Sequence, residues 1–218
     1  MPSPDDPRRG LFITLEGGDG AGKTTQLERL TSWLWARGER VLVTAEPGGS
    51  ALGEAIAEWL RGRGPEAPTP RAEALLFLAA RAQHVERLIQ PALAAGTTVL
   101  CSRFSHSTLA YQCAGLGLDE TAVAAADAFA RDGLKPDVVL VLDLDAAGAA
   151  ARRAGRGQAE DAIEARAAAF HERVRAGFRR AAALEPERVR LIDAGGDADS
   201  VQAAIAAALE PWLRDREP

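Results

Sequence analysis

Short apolar runs alternate along this chain with longer stretches in which apolar residues recur every three or four positions. The runs at residues 11–15, 41–44, 98–101, 138–143 and 189–192 predict five strands. Leu27, Leu30 and Leu34 mark a helix over residues 22–37, which Gly38 stops. Further helices are predicted over 51–60, over 71–94 with a bend or break at Pro91, over 105–113 and over 120–132. Residues 62–70, with three prolines and two glycines, read as a loop. An Ala- and Arg-rich helical region covers 146–183, interrupted by Gly155-Arg156-Gly157, and a last helix ends near Arg214. Strands that are apolar almost throughout, each followed by a helix, predict an α/β fold: a parallel five-stranded sheet with helices on both faces and a ligand at the carboxyl ends of its strands. No repeat or low-complexity linker divides the chain. Residues 10–218 are therefore expected to form a single domain, and residues 1–9 a flexible N-terminal segment.

Composition narrows the function. The 218 residues carry 26 basic and 31 acidic side chains, a net charge of −5, with 47% hydrophobic and 26% charged residues. That balance suits a folded protein and argues against nucleic acid as a partner. No apolar run approaches the roughly 20 residues that span a bilayer, so no membrane partner is expected. The first ten residues hold three prolines, two aspartates and no apolar stretch, unlike a secretory leader. Cys101 and Cys113 form neither a disulfide framework nor a metal cluster, which points to the cytoplasm. Of the 26 basic residues 24 are Arg, and only Lys23 and Lys135 are Lys. Lys135, in a polar loop before Pro136, reads as a solvated residue. Lys23 does not.

Lys23 stands in Gly17-Gly18-Asp19-Gly20-Ala21-Gly22-Lys23-Thr24, an eight-residue phosphate-loop pattern placed between a predicted strand and a predicted helix. Successive N–H groups unobstructed by side chains make an anion cradle at a helix N-terminus, where the helix dipole adds positive potential. A compact ammonium can fold back into such a loop to reach the β and γ phosphates, whereas a planar guanidinium is a poor substitute. Residues Gly17, Gly18, Asp19, Gly20, Ala21, Gly22, Lys23, Thr24 and Thr25 are thus the candidate ATP-binding set, with the Thr24 hydroxyl placed for Mg²⁺ and Asp19 expected near the metal or the acceptor. A ligand-free glycine turn is the plain alternative, and the strand–loop–helix context tells against it. A guanine reader of the Asn-Lys-x-Asp kind is excluded by the two lysines, which leaves kinases of small acceptors.

Four motifs in order extend the comparison over nearly the whole chain. They are Glu16 to Thr25, Thr44-Ala45-Glu46-Pro47-Gly48-Gly49, Leu76-Phe77-Leu78-Ala79-Ala80-Arg81 with His84, and Ser102-Arg103-Phe104 leading to Ser107-Thr108-Leu109-Ala110-Tyr111-Gln112. In these the chain resembles thymidylate kinases of the bacterial type. The resemblance implies a P-loop nucleoside monophosphate kinase-like fold with a small lid over residues 152–164, Mg²⁺ as cofactor, ATP and dTMP as substrates, and a homodimer. It implies that Phe77 stacks on the thymine ring, that Arg81 bonds a base carbonyl, and that Arg103 holds the acceptor phosphate. It further implies that Ser107, Thr108, Tyr111 and Gln112 contact the base edge and crowd the sugar 2′ position. Glu46 and Pro47 complete the expected substrate set. Lys23, Asp19 and Arg103 are the expected catalytic residues, joined by a lid arginine for which Arg152, Arg153 and Arg156 are candidates, Arg153 and Arg156 foremost. Gly20 occupies the loop position where the eukaryotic type carries that arginine, so the lid must supply it. The remaining arginines of the region, Arg166, Arg173, Arg175, Arg179 and Arg180, are expected to form mostly a solvated basic face.

Three charged groups usual in the family are missing, at Ala45, Ser102 and Ala162. Ser102 lacks the charge to orient Arg103, and the loss of one such group typically removes a few kcal/mol of transition-state stabilisation. Phosphorylation of dTMP to dTDP is the expected activity. A kinase of another small phosphate acceptor, or a weakened nucleotide-binding regulatory protein, stays open on these departures.

Overall fold

The computed structural model describes residues 9–155, 157 and 160–214. Strands β1 Phe12–Gly17, β2 Val41–Ala45, β3 Thr98–Ser102, β4 Val138–Asp143 and β5 Val189–Asp193 form one parallel sheet in the order β2-β3-β1-β4-β5. Around it pack α1 Lys23–Trp35, α2 Ala51–Glu58, α3 Pro70–His84, α4 Gln90–Ala94, α5 Ser105–Thr108, α6 Glu120–Ala130, α7 Ala146–Ala154, α8 Ala168–Leu184 and α9 Ala198–Arg214. All five strands stand where the apolar runs place them.

Pleating sends alternate side chains to opposite layers. Ile13 and Leu15 of β1, with Leu140 and Leu142 of β4, pack on Leu30 and Leu34 of α1 and on Ile205 and Leu209 of α9. Val139 and Val141 turn the other way, onto Phe170, Val174 and Phe178 of α8. Phe12 shares that second parity and meets Val99, Cys101 and Phe104. So does Glu16, a fully buried carboxyl and the one charged residue on β1. A buried charge needs partners, and Glu16 is the first pointer to a site.

The strand order decides where that site lies. From β1 the chain crosses over β3 to reach β2, and from β3 it crosses over β1 to reach β4. The two connections leave in opposite directions, which opens a crevice at the carboxyl ends of β1 and β3. Pairing of Leu15 with Ser102 brings Gly17 and Arg103 together at its base.

Several helices differ from the sequence pattern, each for a local reason. The stretch predicted over 71–94 loosens before Pro91: Val85–Ile89 is a widened π turn, and Pro91 falls in the first turn of α4, where its missing N–H is harmless. The helix predicted over 105–113 becomes α5 followed by a π turn over Leu109–Gly115. There Gly115 abuts α8, since a Cβ on it would lie 2.5 Å from the Phe170 ring. The break in the 146–183 region is far longer than three residues. The Asp161 carboxylate accepts from the N–H groups of Ile163 and Glu164, both at 2.8 Å, and these local bonds compete with helix continuation. Arg9, assigned to the N-terminal segment, is buried and donates to both oxygens of Asp137 at 3.0 and 2.9 Å. No helix among the described residues is long and apolar enough to cross a membrane.

Candidate active site

The turn after β1 requires glycine at three positions. Gly17, Gly20 and Gly22 have φ of 129°, 88° and 95°. A Cβ on Gly17 would sit 2.5 Å from the Leu142 carbonyl oxygen, and one on Gly20 2.5 Å from that of Ala149 in α7. Helix α1 starts from this loop without a side-chain cap and without an acidic residue in its first turn. Its N-terminal N–H groups and dipole are thereby left for an anion. Lys23 Nζ folds back across the loop and donates to the carbonyls of Gly17 and Gly18 at 2.9 and 2.8 Å. Burial, and then the charge of Arg103, pull its ammonium down to about 7 against the opposing pull of Asp19 and Glu16. Thr24 and Thr25 are exposed on the first turn of α1. Among the described residues no three His, Cys, Asp or Glu side chains cluster as an all-protein metal cage. A lone hydroxyl beside a phosphate cradle fits Mg²⁺, which is commonly carried by substrate phosphates and water with few protein ligands.

Arg103 follows β3 with φ 69°, a conformation rare for a residue with a side chain, and it links the loop to the rest of the crevice. Its Nη1 donates to the Gly17 carbonyl at 3.2 Å and to Ser107 Oγ at 3.3 Å, its Nη2 pairs with Asp19 Oδ1, and the guanidinium lies 4.8 Å over the Tyr111 ring. Tyr111 in turn donates its hydroxyl to Asp19 Oδ2 at 2.8 Å. Burial raises the Asp19 carboxyl, but Arg103, Lys23 and Tyr111 outweigh it and hold the group at about 2. Glu16 pins the turn from below, accepting from the Phe104 N–H at 2.8 Å and from the Ser107 hydroxyl. Burial pushes the Glu16 carboxyl up, with His106, Ser107 and Arg103 opposing. The concern about Ser102 therefore has a structural answer: Arg103 is oriented by Asp19, Gly17 and Ser107 rather than by the residue before it. Ala45 and Ala162 are both exposed.

Beyond Arg103 opens a cavity of about 190 Å³, lined among others by Asp19, Pro47, Phe77, Arg81, Tyr111 and Gln112. Glu46, Arg103, Ser107 and Thr108 also reach it, so every substrate residue expected from sequence converges there. On α3 the spacing of four sets Glu73, Phe77 and Arg81 on one face. Arg81 is 1% exposed, and four of its five N–H groups are taken: two by Glu46 Oε2 (2.8 and 2.6 Å), one by Thr108 Oγ1 (2.9 Å) and one by Asp127 Oδ1 (2.6 Å). Burial opposes its charge, and Glu46 and Asp127 more than restore it. One Nη2 proton is left over, and Arg81 lines the cavity. His84 supports Glu46 from behind through Nδ1 at 3.1 Å, with the Thr44 hydroxyl 2.7 Å from its Nε2. Sequence reading assigned no role to Glu16, Glu73, His84 or Asp127. Glu16 and His84 fell inside the quoted motifs and Glu73 stands four residues ahead of Phe77, while Asp127 offered no signal.

Arg152 and Arg153, of the expected lid, reach the loop from α7. Arg153 is buried, donating Nη1 to the Asp19 carbonyl at 2.9 Å and Nε to Glu160 at 2.8 Å. Arg152 spans from the Ala21 carbonyl (3.5 Å) to those of Ala194 (2.8 Å) and Gly196 (3.1 Å) beyond β5. Arg156 lies outside the described residues. Asp161 and Ile163 line the cavity from the lid side. The expected solvated basic face is partly engaged. Arg166 grips Glu73 at 3.2 and 2.5 Å, Arg175 forks onto Asp143 at 2.7 and 3.0 Å, and Arg173 donates to the Gly115 carbonyl at 2.8 Å. Arg180 pairs with Glu120 at the surface.

Comparison with known proteins agrees with this geometry. A family profile described as thymidylate kinase matches residues 15–205. The thymidylate kinase of Gloeobacter violaceus is 45% identical over 208 residues, covering 95% of this chain and 98% of the relative. That of Clavibacter sepedonicus is 49% identical over 199 residues, 91% and 93% of the two chains. The crystal structure of thymidylate kinase from Ehrlichia chaffeensis superposes with a TM-score of 0.75 at 31% identity, covering 93% of this chain and 99% of that one. With a phosphate cradle joined through Asp19 and Arg103 to a cavity walled by Phe77 and Arg81, and with relatives matched over almost their full length, the chain belongs to the thymidylate kinase family.

Proposed function

We propose that this chain transfers the γ-phosphoryl group of ATP to dTMP, giving ADP and dTDP. The observation that carries the reading is the junction at Asp19 and Arg103, where a phosphate-binding loop and a base-sized cavity share one wall. The acceptor is itself a phosphate oxygen, so no general base is needed, and positioning with charge neutralisation suffices. Lys23 exchanges its two loop carbonyls for the donor phosphates. Arg103 holds the acceptor phosphate, with Asp19 and Tyr111 fixing its guanidinium. Arg153, already against the loop, stabilises charge on the transferring group. Thr24 would hold Mg²⁺ together with the donor phosphates, and the ion supplies further charge neutralisation there. Phe77 stacks on the base, Arg81 gives its free N–H to a base carbonyl, and Tyr111 with Thr108 crowds the sugar.

A homodimer fits the exposure of Leu75 on α3 and Phe129 on the adjacent α6, at 62% and 89%. Two unpaired, buried cysteines suit a cytoplasmic enzyme. The test is a coupled ADP-release assay with ATP, Mg²⁺ and a panel of monophosphates. Fastest turnover with dTMP is expected; fastest turnover with another acceptor, or tight dTMP binding without turnover, refutes the reading.

A further inference from the structure

A buried carboxylate bonded to the cavity-lining Gln112 has no place in the mechanism. Glu73 is 4% exposed and lies one helical turn before Phe77. Two groups meet on it from distant parts of the chain: Gln112 Nε2 donates to Oε1 at 3.0 Å, and Arg166 donates to Oε1 and Oε2 at 3.2 and 2.5 Å. Arg166 is itself seated, with its guanidinium 4.8 Å from the Phe170 ring and its N–H closing the lid turn on the Ile163 carbonyl at 3.2 Å.

An amide side chain is ambiguous, because rotation by half a turn exchanges its donor and its acceptor at little cost. Here the ambiguity is removed. A carboxylate paired with an arginine can only accept, so Gln112 must present its NH₂ to Glu73 and its carbonyl oxygen to the cavity that it lines. Arg81, which can only donate, lines the same cavity, and one of its Nη2 protons is not taken by a protein partner. The wall therefore carries one fixed donor and one fixed acceptor. Thymine offers the complement, a carbonyl acceptor beside an N–H donor, and cytosine offers the reverse, an amino donor beside a bare ring nitrogen.

We propose that Glu73, held by Arg166, is a positioning residue that sets the polarity of the Gln112 amide and thereby makes the site reject cytosine nucleotides. The proposal rests on the reading above in which the base stacks on Phe77 and bonds Arg81, and it sets the base edge against Gln112 of the same cavity. Reversal of one hydrogen-bonding group leaves a buried polar atom unpaired, which is how sites reject analogues most strongly.

The test is steady-state kinetics of the full-length enzyme with dTMP and dCMP. Glu73→Gln keeps the shape but can both donate and accept, so the Gln112 amide is free to turn. The ratio of kcat/KM for dTMP over that for dCMP is expected to fall about tenfold or more. The change should lie in KM for the monophosphate, with KM for ATP within about twofold of the unsubstituted enzyme. Glu73→Gln with Arg166→Gln, which removes both partners of the ion pair, carries the same expectation should the single variant not fold. A purely structural role for Glu73 would lower both kcat/KM values together and leave the ratio unchanged. That result, with Gln112→Ala still eroding the ratio, overturns the proposal alone. If Gln112→Ala also leaves the ratio unchanged, the placement of the base is wrong and the proposal falls with it.

Discussion

Of two glycines of the phosphate loop, two residues apart, one should be strongly disturbed by the addition of one methyl group and the other hardly at all. Gly20 has φ 88°, and its Cβ would lie 2.5 Å from the Ala149 carbonyl oxygen, a backbone atom that cannot rotate away. Gly20→Ala therefore strains the turn, at about 1–2 kcal/mol, and forces α7 outward by roughly half an ångström or more. That movement pulls on Arg153, bonded to the Asp19 carbonyl at 2.9 Å, and on Arg152, near the Ala21 carbonyl at 3.5 Å. With weakened charged hydrogen bonds included, the loss of stability should be about 2–4 kcal/mol, which for this chain length lowers Tm by roughly 5–15 °C. Because α7 delivers the lid arginines, kcat should fall about 10–100-fold, as expected for a misplacement of this size. Gly18 provides the control. It has no positive φ, and a Cβ there would meet nothing within 4 Å. Gly18→Ala should melt within about 2 °C of the unsubstituted protein. Differential scanning calorimetry on both variants, with ADP release on Gly20→Ala, decides the matter. A Gly20→Ala protein that melts with the parent, or a Gly18→Ala protein that drops as far, would show that the loop and α7 are not in the contact described.

Lys23 titrates near neutrality because burial and Arg103 disfavour its charge, to about 7, whereas a bound polyphosphate favours it. ATP binding should thus take up a proton above pH 7, with Kd rising toward about tenfold per pH unit; calorimetry at pH 8 in buffers of different ionisation heat should detect the uptake, and its absence would refute the assignment. Asp19 is held at about 2 against an ordinary 3.8. Its ion pair should contribute about 2.5 kcal/mol above pH 4, lost as pH falls toward 2, so urea unfolding of Asp19→Asn should show a flatter acid profile than the parent. Parallel profiles would refute that. Arg81→Met leaves Glu46 and Asp127 buried without the guanidinium between them and should cost about 3–5 kcal/mol in urea unfolding; a loss below about 1 kcal/mol would mean that the network is not under charge constraint.

Much of this molecule is legible without coordinates. Pleat alternation and helical spacing are properties of neighbouring residues, and so is the phosphate cradle, whose glycines, lysine and threonine fall within eight positions. Phe77 and Arg81 share a face by the same local rule. Other features depend on partners that only the sheet order brings together. Glu16 is an ordinary strand residue until β3 is laid beside β1, when its carboxylate meets Phe104 and Ser107 and fixes Arg103 in a left-handed turn. Asp19 acquires its low proton affinity from Arg103 and Tyr111, some 90 positions away. Arg166 reads as one more surface arginine in a chain rich in them, and the lid's return places it on Glu73. Local geometry is set by backbone sterics and side-chain period, and these act over a few residues. The proton affinity and hydrogen-bonding polarity of a buried group depend on which charges surround it once water is excluded, and for this protein the tertiary structure decided that.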